Sequence, residues 1–238
     1  MIDLKEEVQK RGFTVVHIKT DSIKIANATQ EIIDFVMEFG KKYGYSFEHE
    51  ATYERMCLVN ESTYIAKYDD QGLRGKKGKH AGEWTATGKQ FQVPYIFKSL
   101  FSHEPIELED LCETRSVSTA MHLDMNEGLG EDEHNYIFVG RVGQFCPIKE
   151  GCGGGVLVRE KKDGSGFDSV NGTKGYRWLE SEIVRSKGLE NDIDRSYYQR
   201  LADEAVETIE KFGSFEKFVN ESVDMYVNAV PFMNAPEN

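Results

Sequence analysis

The chain has 238 residues, of which 39% are hydrophobic and 29% are charged, and these proportions exclude a disordered or fibrous protein. It contains no run of 18 apolar residues, and its first residues lack the apolar stretch of a secretory signal, so we expect a cytoplasmic protein with no membrane partner. A chain of this length can form one large core or two small ones.

Four cysteines are scattered along the chain with no C-x-x-C pair. Their spacing does not predict a structural zinc site. A reducing compartment favours free thiols, and Cys146 and Cys152, which flank a Gly-rich turn, are candidates for neighbours.

The net charge of −12 is unevenly distributed. Residues 71–98 hold six Lys and Arg against one acid, and residues 141–187 hold nine against six. Residues 99–140 hold one against ten, and residues 188–238 hold four against eleven. Basic segments in an acidic chain fit a surface that faces a polyanion, and they fit solvated loops equally well.

The first part of the chain predicts a helix followed by a hairpin. A short amphipathic helix is expected from Leu4 to Lys10, ended by Gly12. Two β-branched, apolar runs follow at 13–18 and 23–25, and the polar residues between them place Asp21 at or beside a tight turn.

A second helix and an antiparallel sheet are predicted next. Asn27 or Thr29 caps the helix, which we expect to pack on the sheet. Strands are predicted at 46–59 and 62–68, followed by a Gly- and Lys-rich loop at 69–82. The pattern indicates an α+β fold with a packed helix. The helix is predicted from apolar residues at helical spacing: Ile32, Val36, Phe39 and Tyr43.

The remainder predicts a mixture of helices and strands. The expected elements are short helices at 94–101 and 107–113, strands around 115–123, 135–142 and 154–160, a long helix at 194–212 and a partner helix at 215–227.

The residues with the clearest chemical meaning are His17-Ile18-Lys19-Thr20-Asp21-Ser22. A carboxylate at the tip of a hairpin is rigid and exposed, which suits a divalent cation beside a phosphate. An aspartate in a turn also has a purely structural role, because its side chain bonds the backbone two residues on.

This hairpin resembles the third polymerase motif of family B DNA polymerases, Y-x-D-T-D-S, and the segments that follow agree in order. Phe47-Glu48-His49-Glu50-Ala51-Thr52-Tyr53 is similar to the family's L-E-F-E-K-x-Y, and Glu61-Ser62-Thr63-Tyr64 stands at its K-K-x-Y. Gly82-Glu83-Trp84-Thr85-Ala86-Thr87-Gly88 looks like the strand that leads from palm to thumb. The resemblance covers residues 8 to 92, and segments around 141–147 and 174–180 are similar to phage-type members.

The resemblance implies a DNA-directed DNA polymerase that acts on primer-template DNA and deoxynucleoside triphosphates with two Mg²⁺ ions. Asp21 would be a catalytic metal ligand, and Glu50 would belong to the acidic metal surround. Tyr64 would contact the primer end of the duplex, with Lys19, Ser22 and Lys67 as further DNA contacts.

Two departures change the charge of the resembled motifs. Lys19 stands where the family has an aspartate, and Glu61 and Ser62 replace two lysines. Lys67, on the adjoining strand, is a candidate to compensate for the lost cations.

The family's other two polymerase motifs, D-x-x-S-L-Y-P and K-x-x-x-N-S-x-Y-G, have no match in this sequence. A single carboxylate cannot organise two metal ions. We therefore expect the chain to be inactive alone and to act with a missing N-terminal polymerase portion.

The resemblance divides the chain into a C-terminal part of the palm at 1–92 and a thumb-like, duplex-binding region at 93–238. The Gly-rich segment 151–155 is not a P-loop and is expected to let two backbones approach closely. Trp84 and Trp178 are predicted to lie in the core. The predicted phosphate contacts are Lys76, Lys77, Lys79, Arg159, Lys174 and Arg177.

Three interpretations remain open. The chain is either a polymerase portion or a non-catalytic DNA-binding or regulatory module derived from one. An unrelated α+β domain that only mimics the motif is the third possibility.

Overall fold

The computed structural model describes residues 1–19, 21–73 and 79–220, with the backbone alone at 71–73. These residues fall into two units. The first contains Met1–Glu104 and the residues from Ala202 onward, and the second contains Pro105–Leu201. The predicted division between 92 and 93 therefore differs from the division between the units, because the chain returns to the first unit after residue 201. The assignment of palm and thumb stays a prediction.

The first unit begins with two helices that enclose a hairpin. Helix α1 (Ile2–Lys10) precedes strands β1 (Val15–Ile18) and β2 (Ile23–Ile25), and helix α2 (Gln30–Lys42) follows. The Thr29 hydroxyl caps α2 by accepting the Ile32 amide proton at 3.4 Å, which confirms one of the two predicted caps.

A small core holds these four elements together. Residues spaced four apart on each helix are fully or nearly buried, namely Leu4 and Val8 on α1 and Ile32 and Val36 on α2. Half-buried residues of the hairpin, including Val15, Ile23 and Ile25, pack against them. The predicted packing of α2 on β-structure is thus confirmed at the hairpin.

The second sheet of this unit is antiparallel, in the order β3-β4-β5. Strand β3 covers Ala51–Asn60, β4 covers Thr63–Leu73 and β5 covers Trp84–Thr87. The predicted strand at 46–59 is wrong at its start, because residues 46–50 are irregular. The predicted loop at 69–82 is wrong at its start too, because the pairing of β4 with β3 continues to Leu73.

The first unit is completed by short helices around an aromatic cluster. Helix α3 (Pro94–Phe97) continues as a π-helical segment at Lys98–Ser102, close to the predicted helix at 94–101. Phe101 is buried and contacts Trp84, Phe91 and Phe215 at ring-centroid separations of 5.2 to 6.3 Å. Helix α6 (Phe215–Asn220) is the described part of the predicted helix at 215–227.

The second unit contains a five-stranded antiparallel sheet in the order β10-β7-β6-β8-β9. Three of its strands had been predicted, two of them (115–123 and 135–142) shorter and one (154–160) longer than observed, while β9, β10 and helix α4 had not been predicted. The elements are β6 (Glu113–Asp124), β7 (Tyr136–Ile148), β8 (Val156–Glu160), β9 (Phe167–Ser169), β10 (Arg177–Glu180), α4 (Ser181–Lys187) and α5 (Arg195–Glu210), of which α5 ends in the first unit.

The predicted helix at 107–113 is only a 3-10 turn at Leu108–Leu111. Glu107 and Asp110 form a capping box there, in which each side chain accepts the other residue's amide proton. The next residues enter β6, which ends the turn, so the prediction of a longer helix is wrong. The fold overall is α+β with antiparallel sheets, as expected.

The Gly-rich segment brings two backbones together, as predicted. Gly155 and Trp178 exchange two backbone hydrogen bonds of 2.8 Å. A Cβ atom on Gly155 would lie 3.0 Å from the carbonyl oxygen of Asp124 and 2.9 Å from the sulfur of Met125. Trp178 is completely buried, and its indole N–H donates to the Thr173 carbonyl oxygen at 3.0 Å, so its predicted core position is confirmed.

We predict that Gly155→Ala lowers the free energy of unfolding of the second unit by ~1–3 kcal/mol, because the new methyl group overpacks against backbone. The matched control is Gly130→Ala, whose Cβ would meet only ordinary contacts at 3.6 Å or more. Both variants are made with Trp84→Phe, so that the fluorescence of Trp178 reports urea unfolding of this unit. Equal urea midpoints for the two variants would contradict the close approach of Gly155 to the Asp124 backbone.

Candidate functional site

The candidate site is centred on the bend between β1 and β2. The strands pair with Ile18 opposite Ile23, and the amide of Lys19 donates to the carbonyl oxygen of Ser22 at 2.9 Å. Asp21 therefore lies at the bend, where it is exposed. Thr20, the first residue of the resembled Thr-Asp-Ser, lies outside the described residues.

The hairpin is fixed to the neighbouring sheet by two contacts. The Nε2–H group of buried His17 donates to the carbonyl oxygen of Glu61, between β3 and β4, at 3.0 Å. The ammonium of Lys24 lies 5.0 Å from the ring centroid of Tyr64. These contacts and the core around α1 and α2 hold the bend in place.

A cleft with a volume of about 640 Å³ opens beside the bend. Asp21, Ser22 and Lys24 line it from the hairpin. Glu48 and Glu50 line it from the irregular segment before β3, and both are exposed. Both fall within the predicted strand at 46–59, but the observed strand β3 begins only at Ala51. The structure nevertheless brings Asp21 and Glu50, the two predicted metal ligands, to one cleft.

Lys24 was not predicted as a site residue, yet its ammonium places a positive charge in the cleft beside the two predicted metal ligands. Its partial burial lowers the pKa of its ammonium, the carboxylates of Glu50 and Asp21 oppose that shift, and Lys19 adds to it. Lys24 therefore interacts electrostatically with both predicted ligands. The alternation of charged and apolar residues in Ile23-Lys24-Ile25 was the only available signal.

Three tyrosines form an aromatic row on β3 and β4, and one of them, Tyr53, lines the cleft. Tyr53 lies 6.4 Å from Tyr64 and 5.2 Å from Tyr68, measured between ring centroids. Burial, together with the neighbouring Tyr64, raises the pKa of Tyr53, so its phenol stays neutral. Tyr53, which lines the cleft, is a second residue that the sequence had not identified.

The described residues contain no group of three or more His, Cys, Asp or Glu arranged to hold a metal ion. Asp21 and Glu50 supply carboxylate oxygens of the kind that Mg²⁺ prefers. Together they supply two carboxylates, which is part of the ligand set of a magnesium site.

The predicted DNA contacts of the first unit differ in whether their side chains are exposed or already paired with a carboxylate. Lys19 and Lys79 are exposed. Lys67 is paired with Glu54 at 3.5 Å, so a phosphate would have to compete with that carboxylate. Lys76 and Lys77 lie outside the described residues.

Among the predicted contacts of the second unit, Lys174 is exposed. Arg159 lies 3.8 Å from the Asp168 carboxylate. The guanidinium of Arg177 donates to the carbonyl oxygens of Gly153 and Gly154 at 3.2 and 2.7 Å. Arg177 thus stabilises the Gly-rich turn, and we omit it from the DNA contacts proposed below.

None of the helices described is long and apolar enough to cross a membrane. Comparisons with models of protein families, with curated proteins and with solved structures found no match.

We predict that Lys24→Met removes a pH dependence of stability. Between the lowered pKa of folded Lys24 and the ordinary value of 10.5, the unfolded chain holds a proton that the folded chain has lost, so stability rises with pH. The free energy of unfolding of the wild type should therefore increase relative to Lys24→Met between pH 7 and 10.5.

Urea unfolding at several pH values measures this difference. The control is Lys5→Met, which removes an exposed lysine of α1 that is not among the charges acting on Lys24 and should give no such trend. If the free energies of unfolding of the wild type and Lys24→Met differ by the same amount across this pH range, Lys24 is not desolvated in the cleft.

Proposed function

We propose that this chain is the C-terminal palm and thumb portion of a DNA-directed DNA polymerase of family B. The observation that carries the proposal is the exposed carboxylate of Asp21 at the bend of a short, anchored hairpin. An Asp buried or displaced from the bend could not hold an ion beside a nucleic-acid end. The order of the downstream segments, which resemble those of the family, is the second support.

The cleft supports the assignment of roles to Asp21 and Glu50. Both carboxylates line it, and together they oppose the lowering of the Lys24 pKa. An acidic cleft with one internal ammonium attracts a divalent cation that can displace the ammonium toward solvent. Asp21 and Glu50 would hold Mg²⁺ there, with Asp21 as the essential ligand.

In this proposal, bound Mg²⁺ ions supply activation of the primer 3′-hydroxyl and neutralisation of the leaving pyrophosphate. Asp21 positions negative charge at the rigid bend, so little reorganisation is required during the reaction. Exposed Lys19 is placed to contact phosphate. Tyr64, half-buried beside Lys24, presents an aromatic edge to the primer end of the duplex.

The proposal requires a complementing polypeptide. The sequence lacks the motifs that supply the second aspartate and the site of the incoming deoxynucleoside triphosphate. A palm portion that contributes these motifs would complete the metal site.

We predict that the chain alone incorporates no nucleotide, and that a polypeptide carrying D-x-x-S-L-Y-P and K-x-x-x-N-S-x-Y-G restores primer extension. Asp21→Asn should reduce that activity by at least ~10³-fold, because preorganised charge at the reacting phosphate is lost. Primer extension with Mg²⁺ on a labelled duplex measures the effect.

The matched control is Asp34→Asn, since Asp34 is exposed on α2 and bonds only to Gln30 at 2.6 Å in the described contacts. It should leave extension unchanged. Co-purification with the complementing polypeptide must be equal for both variants. Full activity of Asp21→Asn in an intact complex would exclude the metal assignment.

A non-catalytic DNA-binding module is the second candidate. Two observations favour it: Lys19 places a positive charge beside the bend where the family has a carboxylate, and Lys174 is exposed in a basic segment. A duplex bound by such cations would be held through phosphates and not read by sequence.

For either candidate we predict duplex binding that weakens with salt. Lys174→Ala should reduce the slope of log affinity against log salt by about 1, because one phosphate contact is lost. Fluorescence anisotropy with a labelled duplex measures this slope. Lys41→Ala, which removes a lysine paired with Glu38 at 2.5 Å, is the control and should leave the slope unchanged.

The two candidate functions predict different effects of replacing Asp21. In a module without catalysis, Asp21→Asn changes neither duplex affinity nor any activity of the complemented chain. In a polymerase portion it abolishes extension while salt-dependent binding persists. Binding that does not respond to salt would count against both candidates.

A further inference from the structure

Two cysteines of the second unit lie in contact. Cys112 follows the 3-10 turn at 108–111 and directly precedes β6, and Cys146 lies on β7. Their sulfur atoms are 3.2 Å apart. The sequence had suggested Cys146 and Cys152 as neighbours, and the structure instead places Cys146 against a cysteine 34 residues earlier.

The backbone around the pair suits a disulfide. Glu113 pairs with Phe145 in the antiparallel register of β6 and β7, so Cys112 and Cys146 form the next opposed pair. Opposed residues in antiparallel strands have Cα atoms about 4.5–5.5 Å apart, which falls within the range of disulfides. Bond formation needs only a small approach of the two sulfurs.

The two thiols differ in exposure and in the direction of their pKa shifts. Cys112 is half-exposed, and the hydrogen bond from Cys146 lowers its pKa. Arg185 also favours the Cys112 thiolate, whereas burial and Glu109, with which Arg185 pairs, oppose it. Cys146 is fully buried, and its pKa is raised by the same hydrogen bond and by burial. Because Cys112 is the more exposed of the two sulfurs, it is the one that a reagent from solvent reaches first, and Cys146 is in position to react with it.

The other two cysteines lack this combination. Cys57 is buried, and burial raises its pKa to about 11. Cys152 is exposed, and the described contacts give it no second sulfur. Both remain free thiols in the structure and serve as internal references.

We propose that Cys112 and Cys146 are an oxidative modification site that forms a reversible intramolecular disulfide when it reacts with a hydroperoxide. The inference rests on the second unit alone and does not depend on the proposed polymerase function.

The reaction has two balanced steps. The Cys112 thiolate attacks one peroxide oxygen, so that an S–O bond forms, the O–O bond breaks, and hydroxide leaves and is protonated to water. The Cys146 sulfur then attacks the Cys112 sulfur, so that the S–S bond forms, the S–O bond breaks, and the oxygen leaves as water with the Cys146 proton. Two thiols lose two electrons, and one hydrogen peroxide gains them.

The disulfide would link the 3-10 turn to β7 and close a loop across the β6–β7 hairpin. Closing a loop of about 34 residues restricts the unfolded chain and should raise the melting temperature of the second unit by roughly 8–30 °C. A reductant should reverse the shift.

The test treats the Cys152→Ser chain with hydrogen peroxide, then alkylates the free thiols and maps peptides without reduction. We expect one cross-linked peptide pair that contains Cys112 and Cys146, with Cys57 still alkylated. The melting temperature should rise and should return after reduction. Alkylated Cys112 and Cys146 after treatment, or a cross-link that involves Cys57, would overturn the proposal.

A second variant tests the order of the steps. In Cys146→Ser, the Cys112 sulfenic acid has no resolving thiol and should be trapped by a dimedone reagent. In Cys112→Ser, the buried Cys146 should remain unlabelled. Labelling of Cys146 in place of Cys112 would contradict the assigned roles. The mapping of the Cys152→Ser chain does not depend on whether either core variant folds.

Discussion

The structure of the candidate site depends on how the hairpin is anchored. Two strands of three and four residues cannot hold a carboxylate in a fixed position by themselves. Apolar residues of α1 and α2 pack against the hairpin, and His17 bonds to the carbonyl oxygen of Glu61. This anchoring is what presents Asp21, exposed and at the bend, to the cleft that Glu50 also lines.

One ammonium lies among the carboxylates that line that cleft. It belongs to Lys24, which is partly buried against Tyr64 and interacts with both Asp21 and Glu50. A divalent cation would have to replace that interaction. The proposed complementing polypeptide, which would bring a further aspartate, gives a physical reason for such an exchange, because more negative charge favours two positive charges over one.

Local patterns predicted part of this structure. The spacing of Leu4, Val8, Ile32 and Val36 was sufficient for α1 and α2, and the β-branched runs around Asp21 were sufficient for the hairpin. The start of β3, the extension of β4, and the short strands β9 and β10 depend on pairing with distant segments, which periodicity does not encode. For the same reason Lys24 and Tyr53 were missed: burial against partners far along the chain, and not residue type, places them in the cleft.

The central claim is that Asp21 and Glu50 face one bound divalent cation. It is tested most directly by replacing Mg²⁺ with Fe²⁺ in the complex of this chain with its complementing polypeptide and mapping backbone cleavage by locally generated hydroxyl radicals. We expect cleavage around residues 19–22 and 48–50, and loss of both cuts in Asp21→Asn. Cleavage that is confined to other segments, or that persists unchanged in Asp21→Asn, would contradict it.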